Sequence, residues 1–277
     1  MPELPEVETI VQELCSAELI GKHIDKAVVY WHRSIAIPSC EEFPDQISGQ
    51  TIQQIQRRGK FIVLTLTKDT LLIHLRMTGK ILISNNSQEP IHKHERVRLY
   101  LNDGRILRYE DQRKFGKWYL LLEPQETLKK LGVEPLSKEF TLEFLEKIIQ
   151  KHSVSIKSFL LNQKFIAGLG NIYVDEALWL AQVHPLRKAN SLNQLEKKAL
   201  HFAIIQVLKI GIENTGTSLG KHRGNYMGTT GRQGSNQHAL NVFRRDGEPC
   251  PRCQTTIAKI VVAQRGTHLC PFCQKLS

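Results

Sequence analysis

The sequence predicts a multidomain α+β chain: a leading helix, a two-sheet β domain, a helical domain and a C-terminal zinc ribbon. Three observations carry this prediction. Runs rich in β-branched and aromatic residues recur through the first 124 residues. The hydrophobic period becomes helical beyond residue 138. Two Cys-x-x-Cys pairs lie near the end of the 277-residue chain.

Residues 5–17 form the leading helix, because Val7, Ile10, Val11 and Leu14 recur at helical spacing and Pro5 suits the first turn. The segments KAVVYWH, TIQQIQR, KFIVLTL, TLLIHLRM, RVRLYL, RILRYED and KWYLLL read as strands, with Asp103-Gly104 as a hairpin turn. These define a domain over 1–124. Residues 125–138 combine Pro, Gly and charge and read as a linker. Helical periodicity then returns in TLEFLEKIIQK, IKSFLLNQ, NIYVDEALWLA and SLNQLEKKALHFAIIQVLKIGIE, giving a domain over 139–238. Its last stretch, 214–238, holds six glycines and no apolar pattern, and loops of that length inside a compact domain are functional or disordered. Residues 239–277 form the ribbon.

Hydrophobic residues make up 41% of the chain, which places it among globular proteins. No apolar run approaches a membrane span. The first twenty residues hold glutamates and no Lys or Arg, unlike a secretory signal, so a soluble cytoplasmic protein is expected. The net charge is +11 and uneven: from Lys209 to Ser277 there are 10 Lys/Arg against 3 Asp/Glu. Such an excess suits a polyanionic partner, and equally a plain basic surface.

Cys250, Cys253, Cys270 and Cys273 form two pairs separated by 16 residues, the spacing of a structural zinc site. Four thiolates complete a tetrahedral sphere and leave no open position for catalysis. Arg265-Gly266 lies near the tip of the intervening hairpin, where Arg265 can clamp a phosphate. In AGLGNIYVDEALW, Asn171 follows Gly168-Leu169-Gly170 at the expected N-cap of a helix. That arrangement is either an ordinary glycine turn with a cap or a phosphate cradle.

Taken together, PELPEVET, RRGKFIVL, HLRMTGK, YEDQRKFGKW, AGLGNIYVDEALW and GEPCPRC…RGTHLCPFCQ resemble the bacterial formamidopyrimidine-DNA glycosylase (8-oxoguanine DNA glycosylase) family, in the expected order across essentially the whole chain. The resemblance implies an N-terminal β-sandwich with its leading helix, a helix-two-turns-helix domain and a C-terminal zinc ribbon, with double-stranded damaged DNA held between them. It implies a monomer that excises oxidised purines and then cleaves the strand.

The resemblance also gives meaning to the start, MPELPEVET. In this family the initiator Met is removed, so Pro2 becomes a secondary amine and the nucleophile. A free α-amine has a pKa of about 8, so part of it is unprotonated at neutral pH. Glu3 is the expected proton carrier, with Glu6 a secondary catalytic candidate that could instead fix Glu3. Lys60, after Gly59 in a turn, is expected to reach the phosphate beside the lesion and assist proton transfer. Met77, Arg113 and Phe115 are expected to enter the stack when the base leaves it. Of these, Met77 fills the gap, Arg113 bonds the orphaned cytosine and Phe115 wedges between neighbours. His94, Asn171 and Arg265 are carried over as phosphate contacts, Arg265 being also counted with Pro2, Glu3 and Lys60 among the catalytic residues, and the 217–237 loop as the cover of the flipped base.

The chain departs from the family pattern in several places. Arg96 stands where His is usual, Gln112 where Pro is usual and Gln264 where Gly is usual, and the fine sequence of 217–237 does not align. Two rival readings are the endonuclease VIII branch, acting on oxidised pyrimidines, and a non-enzymatic zinc-ribbon DNA-binding protein. The PELPEVE start and the Arg113/Phe115 pattern favour the purine branch.

Overall fold

The computed structural model describes residues 1–220 and 226–276. The chain divides into two compact units, one of Met1–Lys129 with Ile212–Gln237 and one of Lys130–Gly211 with His238–Ser277.

In the first unit, α1 (Leu4–Ser16) carries Pro5 in its first turn, and Glu6 closes a capping box onto the Glu3 N–H at 2.8 Å. The chain continues through β1 (Ile24–Val29), β2 (Ile35–Ile37), α2 (Phe43–Ile47), β3 (Ile52–Arg58), β4 (Phe61–Leu66), β5 (Thr70–His74), β6 (Gly79–Ser84), β7 (Glu95–Leu101), β8 (Ile106–Asp111), β9 (Lys117–Leu121) and α3 (Gln125–Leu128). The strands form two sheets, ordered β1-β7-β8-β6 and β2-β9-β5-β4-β3. Alternation decides what lies between them. Val97, Leu99, Leu107 and Tyr109 from one sheet meet Ile62, Leu64, Ile73 and Trp118 from the other, with Val7, Ile10 and Leu14 of α1 completing the core. Each such burial contributes about 1.5–3 kcal/mol.

Two strands escape the sequence pattern. β2 has only three residues, too few to show a period. β6 lies at a sheet edge, beginning within the HLRMTGK motif, and four of its six residues are only partly buried. All seven segments read as strands from sequence pair within the two sheets.

In the second unit, α4 (Leu142–Ile149) is capped by Thr141, whose hydroxyl accepts the Phe144 N–H at 3.1 Å. α5 (Ile156–Leu161) is capped in the same way by Ser155. α6 (Asn171–Leu180) follows, then α7 (Gln194–Glu213), whose last residues already belong to the first unit. β10 (Ala258–Val262) and β11 (Arg265–Leu269) form the ribbon hairpin. Trp179, Val242 and Ile257 pack around Cys250 and Cys270 in a small separate core.

Three sequence expectations are modified. The 139–238 domain divides, because Ile212–Gln237 packs with the N-terminal unit. The glycine-rich composition hid this, since many of the contacts there are made by backbone groups, beside the side chains of Tyr226 and Met227. The 125–138 linker is ordered by α3 and by a parallel bridge between Val133 and Ile166. Asn171 is the first residue of α6 instead of its cap; Gly170 occupies the cap, and the Asn171 amide turns to the Gly266 carbonyl. Residues 221–225 of the expected base-covering loop lie outside the described residues.

Candidate functional site

Pro2 is buried and precedes the extended Glu3, which leads into α1. Glu3 and Glu6 are 2% and 1% exposed. Glu6 divides its carboxylate: one oxygen accepts the Glu3 N–H at 2.8 Å and the other the Thr217 N–H at 2.7 Å. Its geometry is that of a holder, which ties the Pro2–Glu3 segment to the segment after α7. Sequence reasoning could not see the Thr217 half of this contact, because 211 residues separate the partners.

Lys60 is 6% exposed and sits in the two-residue turn that joins β3 to β4. Gly59 takes φ +56° there. Arg57 braces the turn: its guanidinium donates to the Gly59 carbonyl at 3.1 Å and to Glu8 of α1 at 2.7 Å. The turn is thereby referenced to the helix that begins at the Pro2–Glu3 segment. Nearby, burial and then the charges of Arg76 and Lys60 push the His74 imidazole down to about 3, so it is neutral beside Lys60.

The structure brings the three expected insertion residues together. Met77 and Phe115 are 37% and 49% exposed, which is unusual for large apolar side chains so close to one another. Arg113 joins them, donating to the Met77 sulfur at 2.9 Å and lying 4.8 Å from the Phe115 ring centre. A buried carboxylate that sequence reasoning missed organises the group. Asp111, 1% exposed, accepts from the Thr78 hydroxyl at 2.5 Å, the Tyr109 hydroxyl at 3.2 Å, the Arg113 N–H at 3.2 Å and the Gly116 N–H at 2.8 Å. One side chain thus fixes both loops. Gly116 is required by the tight fit, since a Cβ there would lie 1.6 Å from the Tyr109 oxygen.

His94 hangs from the same hub. Its carbonyl accepts the Asp111 N–H at 2.9 Å, and Arg96 donates to the Asp111 carbonyl at 2.9 Å. This accounts for Arg96 in place of the usual His, because its guanidinium is a structural brace. Desolvation, then the neighbouring Arg96, His92 and Lys93 charges, lower the His94 pKa.

In the second unit, Asn171 and Arg265 are joined through one carbonyl. Gly266 O accepts from the Asn171 amide at 2.8 Å and from Lys157 at 3.4 Å. Lys157 is fully buried and pairs with Asp175 at 2.5 Å, and the other Asp175 oxygen accepts the His268 N–H at 2.9 Å. The start of β11 is therefore locked to α6, while Arg265 itself stays exposed. Ala263 and Gln264 make the hairpin turn with φ +49° and +59°, which explains why glycine is favoured where Gln264 stands.

The Sγ atoms of Cys250, Cys253, Cys270 and Cys273 lie within 4.8 Å of one another, with 3.4 Å from Cys253 to both Cys270 and Cys273. A tetrahedral zinc with Zn–S bonds of about 2.3 Å needs sulfur separations of about 3.8 Å, so the set fits one structural zinc. The Trp179 indole N–H donates to the Cys250 sulfur at 3.4 Å, a partner suited to a thiolate.

Comparison with known proteins agrees along the whole chain. Residues 1–118 match the formamidopyrimidine-DNA glycosylase N-terminal domain, 131–222 the H2TH domain of the same enzymes, and 247–276 the zinc finger found in FPG and IleRS. The formamidopyrimidine-DNA glycosylase of Protochlamydia amoebophila is 48% identical over 276 residues, covering 99% of this chain and 100% of that one. The chain belongs to the formamidopyrimidine-DNA glycosylase family. The Enterococcus faecalis member of the family is 44% identical over 280 residues, covering 100% of this chain and 98% of that one. The fold matches the Lactococcus lactis Fpg, solved with DNA containing an abasic site, at a TM-score of 0.90 and 38% identity, over 99% of this chain and 100% of that one. Among the described residues no helix is long and apolar enough to cross a membrane.

Proposed function

We infer that this chain is a bifunctional DNA glycosylase and abasic-site lyase that removes oxidised purines such as 8-oxoguanine and formamidopyrimidines from duplex DNA. The observation that carries the reading is the buried Pro2–Glu3 segment, held by Glu6 against Thr217, at the end of a chain related over its full length to these enzymes. Solved relatives bind DNA containing abasic sites and Fapy-dG.

The chemistry follows from the residue types. Removal of Met1 converts the Pro2 nitrogen from an amide to a secondary amine. Its lone pair attacks the sugar C1′, the glycosidic bond breaks, and the electron pair leaves with the damaged base, which takes up a proton. Opening of the sugar ring gives an iminium whose fixed positive charge acidifies the C2′ proton. Loss of that proton expels the 3′ phosphate, and a second elimination releases the 5′ phosphate. Glu3 passes the proton to the sugar oxygen or base in this reading, and Lys60 meets the adjacent phosphate. Met77, Arg113 and Phe115 replace the extruded base, which costs a few kcal/mol to unstack. His94, Asn171 and Arg265 hold phosphates. The zinc stiffens the Arg265 hairpin and takes no part in bond breaking.

Borohydride reduction of mature protein mixed with 8-oxoguanine:C duplex should yield a covalent adduct through Pro2. Full trapping by protein that retains Met1 would rule out this nucleophile. Preferential excision from thymine-glycol duplexes would move the chain to the pyrimidine-specific branch.

A further inference from the structure

The segment after α7 is tied to α1 twice, and the second tie runs through Glu13, which has no role above. Seven residues beyond Glu6, about 10 Å along a helix rising 1.5 Å per residue, Glu13 accepts the Thr229 N–H at 2.5 Å. The Thr229 carbonyl accepts the Ile83 N–H from β6 at 2.9 Å, so this residue is gripped from both sides. The approach is close on the preceding residue too: a Cβ on Gly228 would lie 2.3 Å from a Glu13 carboxylate oxygen, so a side chain there would push the carboxylate away. The turn closes on itself, with the Gly228 N–H on the Arg232 carbonyl at 2.8 Å and the Gly231 N–H on the Gly228 carbonyl at 3.0 Å.

The root of the segment is equally built. The Ser218 hydroxyl donates to the Tyr226 carbonyl at 2.9 Å and accepts the Gly234 N–H at 2.9 Å. Gly234 passes so close to Gly216 that a Cβ would sit 2.1 Å from the Gly216 carbonyl oxygen. A cavity of about 280 Å³ remains against α1, lined in part by Glu13, Thr215, Tyr226, Gly228 and Arg232.

We propose that Glu13 is a positioning residue for base recognition: it pins Gly228–Thr229 to α1 and so sets the shape of the 226–234 segment over the displaced base. The proposal rests on the glycosylase reading above. Its physical content is that the base cover and the nucleophile-bearing segment share one rigid reference, α1, through Glu13 at one end and Glu6 at the other. A charge-assisted bond to a backbone N–H is about twice as strong as a neutral one, which suits an anchor for a segment without regular structure.

The test compares excision of 8-oxoguanine with nicking of a preformed abasic site, which needs Pro2 but no base pocket. Glu13→Ala should lower single-turnover excision by about tenfold or more, the cost of a small misplacement, with abasic nicking within about twofold of wild type. Glu13→Gln, whose amide oxygen still accepts an N–H, should restore most of the excision. Gly228→Val should reproduce the Glu13→Ala pattern from the other side of the contact. Unchanged excision in both Glu13→Ala and Gly228→Val overturns the proposal. So does a parallel fall in excision and nicking, which would make Glu13 a support of the fold. Failure of the wild-type protein to nick abasic DNA would instead sink the glycosylase reading itself.

Discussion

Asp111 offers the sharpest test of how the exposed Met77–Arg113–Phe115 group is held. Replacing it by Ala removes the acceptor of four hydrogen bonds. Two of the donors can turn to water, because Thr78 and Arg113 lie at the surface edge of their loops. The Tyr109 hydroxyl, on a residue 0% exposed, and the Gly116 N–H cannot. Leaving a buried donor unsatisfied costs about 1–3 kcal/mol, so Asp111→Ala should destabilise the protein by about 2–6 kcal/mol. Asp111→Asn keeps one acceptor oxygen and should cost less, about 1–3 kcal/mol. Urea unfolding followed by tryptophan fluorescence measures both. The functional arm uses Asp111→Asn on 8-oxoguanine placed opposite each of the four bases. Loosening the Arg113 loop should flatten the opposite-base preference while abasic nicking persists. A cost below about 1 kcal/mol for Asp111→Ala, or an unaltered opposite-base preference in the Asn protein, would refute the hub.

Three further outcomes are expected. Gln264→Gly should stabilise the zinc-loaded protein by about 1 kcal/mol in thermal unfolding, because it relieves a left-handed backbone at a non-glycine residue. Chelation at neutral pH should release one zinc per chain and unfold the β10–β11 hairpin, with loss of tryptophan signal from Trp179 beside Cys250. His74 is neutral in the fold, with its pKa lowered to about 3 from an ordinary 6.5, so its contribution is fully present above pH 6.5 and is lost as pH falls toward 3. Between pH 7 and 5 that one group should weaken the fold by about 1–2 kcal/mol, and urea titrations of His74→Gln should lose that part of the slope.

The sheet and helix skeleton could be read from the sequence because burial imposes its period on the residues. IVL in β4 and the Leu-Leu-Ile run of β5 have no other physical use. The cysteine pairs could be read because tetrahedral thiolate geometry restricts spacing. Asp111 could not, because the groups it gathers come from β8 and from two loops separated in sequence by more than thirty residues. Nor could the order in 226–237, where backbone groups meet a side chain of α1 and the backbone of β6, and Tyr226 alone enters the core of the first unit without a repeating apolar pattern. Asn171 stands at the first helical position and not at the cap for a related reason: its amide is drawn to Gly266, a partner 95 residues away, and Gly170 is left to cap the helix.

The interleaving of the two units has a consequence for synthesis in the cell. Strands and helix emerge from the ribosome first, yet Thr217 and Thr229, which receive Glu6 and Glu13, belong to a stretch translated only after most of the second unit. At about 5–20 residues per second, the more than two hundred residues between each glutamate and its partner impose a wait of about 10–40 s. During it the nascent polypeptide carries acidic side chains still lacking their eventual amide donors. The end that emerges first is among the last to acquire its finished surroundings.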